Sequence, residues 1–196
     1  MNLEPEKIYH IYNRGINRQT IFYSPDNYLY FLQKVRHSLM PVCNILCYTL
    51  MPNHFHFLIE ATEQSVVLKK SGIIEIQSVS YALQQVQSSY TKAINKASKR
   101  TGSLFTQNVK CKCLNESSTA NYGITCFHYI HQNPWVAGLV QKIEDWEFSS
   151  FRDFIGLRNG TLINKERALS LMELTKENLY NETYQLMNSS TINKVK

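Results

Sequence analysis

The chain has 196 residues, with 21 Lys and Arg against 15 Asp and Glu for a formal net charge of +6, and 43% of it is hydrophobic, enough to bury one core. No window approaches the roughly 18 uninterrupted apolar residues of a membrane span, and the opening MNLEPEKIYH lacks a basic-then-apolar leader pattern, so the sequence reads as soluble and intracellular. The five cysteines, Cys43, Cys47, Cys111, Cys113 and Cys126, are odd in number, sit in apolar surroundings and lack zinc-knuckle spacing, which argues for reduced thiols.

Taken in chain order, KIYHIYNRG alternates like a strand. SPDNYLYFLQKVRHSL then opens with Ser24 and Pro25 as N-cap and first-turn residues and shows helical spacing at Tyr28, Phe31, Leu32 and Val35. Two apolar runs, VCNILCYTLM and HFHFLIEA, are joined at MPN, which suits a hairpin. Helical spacing returns from about Ile74 to Lys99 through Val79, Leu83, Val86, Tyr90 and Ile94. Gly102 breaks it, and TQNVKCKCL alternates as a fourth strand. The order βαββαβ predicts an α+β, ferredoxin-like sandwich with helices over one sheet face and the other face open. A further helix, STANYGITCFHYIHQN, starts at a Ser or Thr cap and is expected to stop before Pro134. Residues 157–196 read as a polar helical extension whose last residues, NSSTINKVK, are expected to be disordered.

Two places in this scheme carry chemistry. In PNHFHFLIE, residues two apart on a strand share a face, so His54, His56 and Leu58 lie together while Phe55, Phe57 and Ile59 point the other way. Two imidazoles side by side suit a metal ion better than a core. In the later helix Tyr129 and Asn133 are four apart, hence on one face. If that helix covers the open sheet face, His54, His56 and Asn133 could form a three-ligand site with Tyr129 beside it. Gln132 is an alternative to Asn133, offset by one residue's rotation. Tyr90, in SSYTKAINK, is the rival nucleophile, although its spacing with Val86 and Ile94 reads as packing. The positive charge favours a polyanionic partner, and Arg14, Lys99, Arg100, Lys110 and Lys112 are the candidates for phosphate contact, Arg14 foremost because it leaves the first strand in an Asn-Arg-Gly loop.

These segments resemble, in order and spacing, the single-tyrosine transposases of the insertion-sequence-200-like group, in particular the REP-associated tyrosine transposases. MPNHFHFLIE resembles their histidine-hydrophobic-histidine (HUH) motif, YNRGINRQTIF their opening strand and loop, and KRTGSLFTQNVK the segment before the fourth strand. HYIHQNPWVAGLV resembles the tyrosine helix and its exit, and DWEFSSF the tryptophan-serine-serine ending. The matches span about residues 8–152; Trp135 and Val136 stand where a basic residue is common in the family. The resemblance implies that residues 1–156 form a single-strand DNA endonuclease and transposase domain. Tyr129 would attack a phosphodiester to leave a 5′-phosphotyrosine link, with His54, His56 and Asn133 as ligands of Mg²⁺ or Mn²⁺. The implied partner is single-stranded DNA with REP-like hairpins, the implied location the bacterial cytoplasm at the nucleoid, and a homodimer that exchanges the tyrosine helix is one of two oligomeric forms. Two other readings stay open: a domesticated hairpin-binding protein that does not cut, and a metal-dependent hydrolase using Glu60, which shares the histidine face but lies about 13 Å beyond His56 at strand rise.

Overall fold

The computed structural model describes residues 1–115 and 122–185. The elements run β1 (Ile8–Arg14), α1 (Pro25–Ser38), β2 (Cys43–Met51), β3 (His54–Ala61), α2 (Glu63–Val66), β4 (Leu68–Ser71), β5 (Ile74–Gln77), α3 (Ser78–Ala97), β6 (Lys110–Cys113), α4 (Tyr122–Val136), α5 (Phe151–Phe154), α6 (Lys165–Met172) and α7 (Lys176–Tyr184). Among the described residues the main sheet has four antiparallel strands in the order β2-β3-β1-β6, the ferredoxin-like arrangement that the order of elements predicted. Helices α1 and α3 cover one face. There Phe31 packs 5.3 Å from Phe55 and 5.2 Å from Tyr90, ring centre to ring centre, so the greasy side of the period-two alternation in β3 meets the greasy stripes of both helices. The opposite face, which carries His54 and His56, is covered in part by α4, in contact with β2 and β3.

Four features depart from the sequence reading. Helical structure starts at Ser78, not Ile74, because Ile74 and Ile76 belong to a small hairpin in which β4 pairs with β5 and Ser71 faces Ile74. The two-residue connection begins at Gly72, whose φ of +64° is the conformation a tight hairpin asks of its first turn residue. Second, α4 does not stop before Pro134 but runs to Val136. A proline in the last turn forfeits one backbone bond there, and the actual stop is Gly138 at φ +70°, with Leu139 N–H donating to Pro134 O and Gly138 N–H to Trp135 O, a Schellman ending. The expected Ser or Thr cap of this helix and the tail NSSTINKVK lie outside the described residues. Third, β2 carries a bulge: Ile45 faces Ile59, yet Cys47 faces Leu58, so Leu46 is extra and the strand's side chains change faces at that point.

The fourth concerns the segment after residue 147. Its backbone lines the outer edge of β2, through Leu50 N–H to Phe148 O (2.9 Å), Ser150 N–H to Tyr48 O (3.0 Å) and Asn164 N–H to Ile45 O (2.8 Å), which satisfies an edge that would otherwise be open to pairing. Beyond it, Ala168, Met172, Leu174 and Leu179 are buried. No helix among the described residues is long and apolar enough to cross a membrane.

Candidate active site on the histidine face

Strand pairing assembles the site. Against β3, Arg14 lies opposite His54 and Tyr12 opposite His56; from β2, Met51 faces His54 and Thr49 faces His56; on β6, Lys110 is opposite Tyr12 and Lys112 opposite His10. Directly opposed residues share a face, so a row of imidazole, phenol and ammonium groups crosses the sheet. The rings of His54 and His56 meet edge to face at 4.9 Å. His56 also lies beside His10, ring centres 5.0 Å apart and planes within 22°, with its Nδ1 2.9 Å from His10 Nε2. His10 is a residue the sequence reading missed. Its signal was present in KIYHIYNRG, as a histidine on the face away from Ile11, but its meeting with His56 depends on a strand register that one strand alone does not reveal.

Helix α4 brings Tyr129 to this cluster, its ring edge-on to His56 at 5.7 Å and to His10 at 6.1 Å. Burial pushes the Tyr129 phenol up to about 12, while the Asn133 amide beside it acts in the opposite direction. Asn133 Nδ2 donates to Tyr129 O at 2.7 Å, one turn back along the helix. Gln132, the alternative ligand, faces elsewhere: its Nε2 donates to Thr183 O (2.8 Å) and Gln185 O (2.7 Å).

The remaining anchors of α4 are histidines with structural work. His131 Nε2 lies 2.9 Å from Ser150 Oγ, and that hydroxyl also accepts from Tyr48 N–H, so the tryptophan-serine-serine segment braces α4 against β2. His128 Nδ1 lies 2.9 Å from Thr183 Oγ1 on α7. Burial pushes His128 down to about 4 and His131 well below the usual histidine range.

Tyr90, the rival nucleophile, is on the other side of the sheet, fully buried, with its hydroxyl donating to Ile21 O at 2.6 Å. Glu60 is likewise committed. Arg167 and Asn44 hold its carboxylate and keep it below the usual carboxylate range, the Arg167 bonds being the main cause.

Of the basic candidates, Arg14 and Lys110 line one cleft of about 410 Å³ with Tyr12, Asn13, Thr106, Gln107 and Asn108. Tyr12 reaches it with its ring 5.5 Å from His56. Asn13 is spoken for: its Nδ2 donates to Gln87 Oε1 and Thr106 O, and its Oδ1 accepts from Arg14 N–H and the Thr106 hydroxyl. It therefore clips the 106 loop to β1 and leaves the amides of Gln107 and Asn108 exposed at the lip. Lys112 lines a neighbouring groove along β6, which shares Asn108 and Lys110 with the cleft. Lys99 and Arg100 follow the end of α3, outside both, where Arg100 Nη2 donates to Gln19 Oε1 at 3.3 Å.

The donor set is compatible with a divalent ion. His54 Nδ1 is 2.6 Å from Asn53 Oδ1, an amide oxygen that can only accept, so the proton sits on Nδ1 and the lone pair on Nε2. Metal-ligating histidines are oriented in this way by a partner on the second nitrogen. Among the described residues no three His, Cys, Asp or Glu side chains form a metal-holding group; the oxygen ligand here would be the Asn133 amide, whose nitrogen is already engaged.

The fold was compared with solved structures. It is similar to that of a REP-associated tyrosine transposase bound to a REP hairpin, with a TM-score of 0.55 over 83% of this chain and 87% of that one, at 14% identity. The two share a fold. Bacterial tRNA(His) guanylyltransferase-like proteins in complex with GTP and with ATP superpose more loosely, each at a TM-score of 0.42, with 14% and 11% identity over 71% and 74% of this chain and 70% of those, a likeness too slight to bear on function. No family model and no curated protein sequence matches the chain.

Proposed function

We propose that this chain is a transposase-like, single-strand DNA endonuclease and strand transferase that acts beside DNA hairpins, with Tyr129 as its nucleophile. The observation that carries this reading is the seat of Tyr129: a phenol on α4 set edge-on to His56, on a sheet face that also presents His54, Lys110 and Lys112. The shared fold with a transposase bound to a REP hairpin supports the choice of substrate.

In this proposal the Tyr129 oxygen attacks a backbone phosphorus and gives up its proton, the bond from phosphorus to O3′ breaks, and the departing 3′-oxygen takes a proton. The 5′-phosphate remains esterified to Tyr129. A 3′-hydroxyl can then attack the ester and return the phenol, so strands are rejoined without an external energy source. Burial keeps the phenol neutral until it reacts, so its proton must leave as the bond to phosphorus forms. His54, His56 and Asn133 would hold Mg²⁺ or Mn²⁺, whose contribution is to polarise the phosphoryl oxygens. Asn133 steadies the hydroxyl. Arg14 and Lys110 bind phosphates at the cleft, Tyr12 offers a ring for an unpaired base, and Lys112 continues the track along β6. A cleft of about 410 Å³ is large enough to admit a nucleotide.

The test is incubation of the purified protein with labelled hairpin DNA carrying single-stranded flanks, in Mn²⁺. A covalent adduct on a denaturing gel is expected for the wild type and not for Tyr129→Phe, while both bind the hairpin. Tight binding with no adduct from any hairpin would move the assignment to a hairpin-binding protein that does not cut.

A further inference from the structure

We propose that His10 is a positioning residue that fixes the ring of His56 for metal binding, an inference resting on the reading of His54 and His56 as ligands. His10 is fully buried at the centre of the sheet. Its Nε2 is 2.9 Å from His56 Nδ1, and the two rings lie side by side, centres 5.0 Å apart and planes within 22°, so the in-plane bond fixes both the hydrogen of His56 and the rotation of its ring. Two neutral imidazoles joined through one nitrogen each share a single hydrogen. When His56 donates it, the lone pair of His56 lies on Nε2, the only nitrogen then able to ligate; when His10 donates it, His56 carries its hydrogen on Nε2 and cannot. As acceptor, His10 sets the ligating tautomer of its neighbour, much as Asn53 does for His54.

The other buried histidines make the contrast. His128 and His131 bond to hydroxyls of Thr183 and Ser150 and tie helices to their neighbours, a task of cohesion. His10 bonds to a ligand candidate on the adjacent strand, which the ladder between β1 and β3 already holds in place. A buried polar ring needs a partner simply to break even, so a stability argument would favour an apolar residue here.

The measurement is Mn²⁺ uptake by the DNA-free protein, followed by electron paramagnetic resonance, with circular dichroism to verify folding. His10→Leu, which fills the space without an acceptor, is expected to weaken Mn²⁺ affinity about 10- to 100-fold. His10→Gln, whose amide oxygen can accept in the same place, is expected to recover most of the loss. A role in packing alone would change the melting temperature of both variants and leave the affinity of the folded protein unmoved. Equal affinity in wild type and His10→Leu, beside a loss in His54→Ala, would overturn the positioning role and leave the metal reading intact. A wild type that takes up no Mn²⁺ would remove both.

Discussion

Two tyrosines with the same side chain meet opposite environments in this fold. Tyr90 is pinned in an aromatic cluster with Phe31 and Phe105, its hydroxyl spent on Ile21 O; Tyr129 lies on the histidine face with a basic cleft nearby. Tyr90→Phe is therefore expected to leave adduct formation intact but to strand a buried carbonyl, at a cost of about 1–3 kcal/mol in urea denaturation. Tyr129→Phe should do the reverse, losing the adduct with little effect on the midpoint. An adduct that survives Tyr129→Phe and vanishes in Tyr90→Phe would reverse the assignment. At this scale the sequence was legible wherever one element's period decides the matter. Period two put His54 and His56 on a common face, and the helical repeat did the same for Tyr129 and Asn133. His10 escaped because its importance comes from pairing between strands, and Gln132 stayed ambiguous because its partners, Thr183 and Gln185, lie about fifty residues on in the chain.

Among the elements, α4 carries the tyrosine proposed to react, and it is held by groups sensitive to acid. His128 is folded into the α4–α7 contact in its neutral form, down at about 4, against about 6.5 in an unfolded chain. The unfolded state binds the proton more readily between those values, so stability is full above pH 6.5, falls as the pH drops through this window, and loses nothing further from this group below about 4. The shift corresponds to about 3 kcal/mol at most, because the Glu182 carboxylate, 3.7 Å from His128 Nε2, favours the charged ring and offsets part of it. Urea denaturation at pH 7 and pH 5 should show a lower midpoint in acid, and His128→Gln should flatten part of that slope, His131 supplying the remainder. An identical slope in His128→Gln would show that the contact is not the acid-labile one. The hairpin β4–β5 marks where helical periodicity misled. Ile74 and Ile76 fit a helix that begins four residues early, and only Gly72 in a two-residue turn announces that they alternate across a hairpin instead.

For the molecule as a whole, residues 157–185 complete the domain they follow. Leu162, Ile163, Ala168, Met172, Leu174 and Leu179 are buried, and a fully buried aliphatic side chain contributes about 1.5–3 kcal/mol against a total stability of about 5–15 kcal/mol. A chain ending at residue 156 should therefore fail to give a cooperative unfolding transition, and a cooperative transition with a wild-type midpoint would refute this. The sequence displayed this segment as polar helices because α6 and α7 are short and expose most of their surface; their few apolar positions gain meaning only against β2, α4 and the Glu60–Arg167 pair. The bulge at Leu46 was equally invisible, since it exists only relative to the partner strand. The grip of α7 on α4 carries one more implication. His128 and Gln132, which α7 holds, lie on the flank of α4 about 100° round from Tyr129 and Asn133, so Thr183 of α7 sets the angle at which α4 offers Tyr129 to the sheet, from behind, like a rudder on a keel. A change at Thr183 is therefore expected to turn or slide the Tyr129 phenol relative to the sheet while leaving every residue of the histidine face in place.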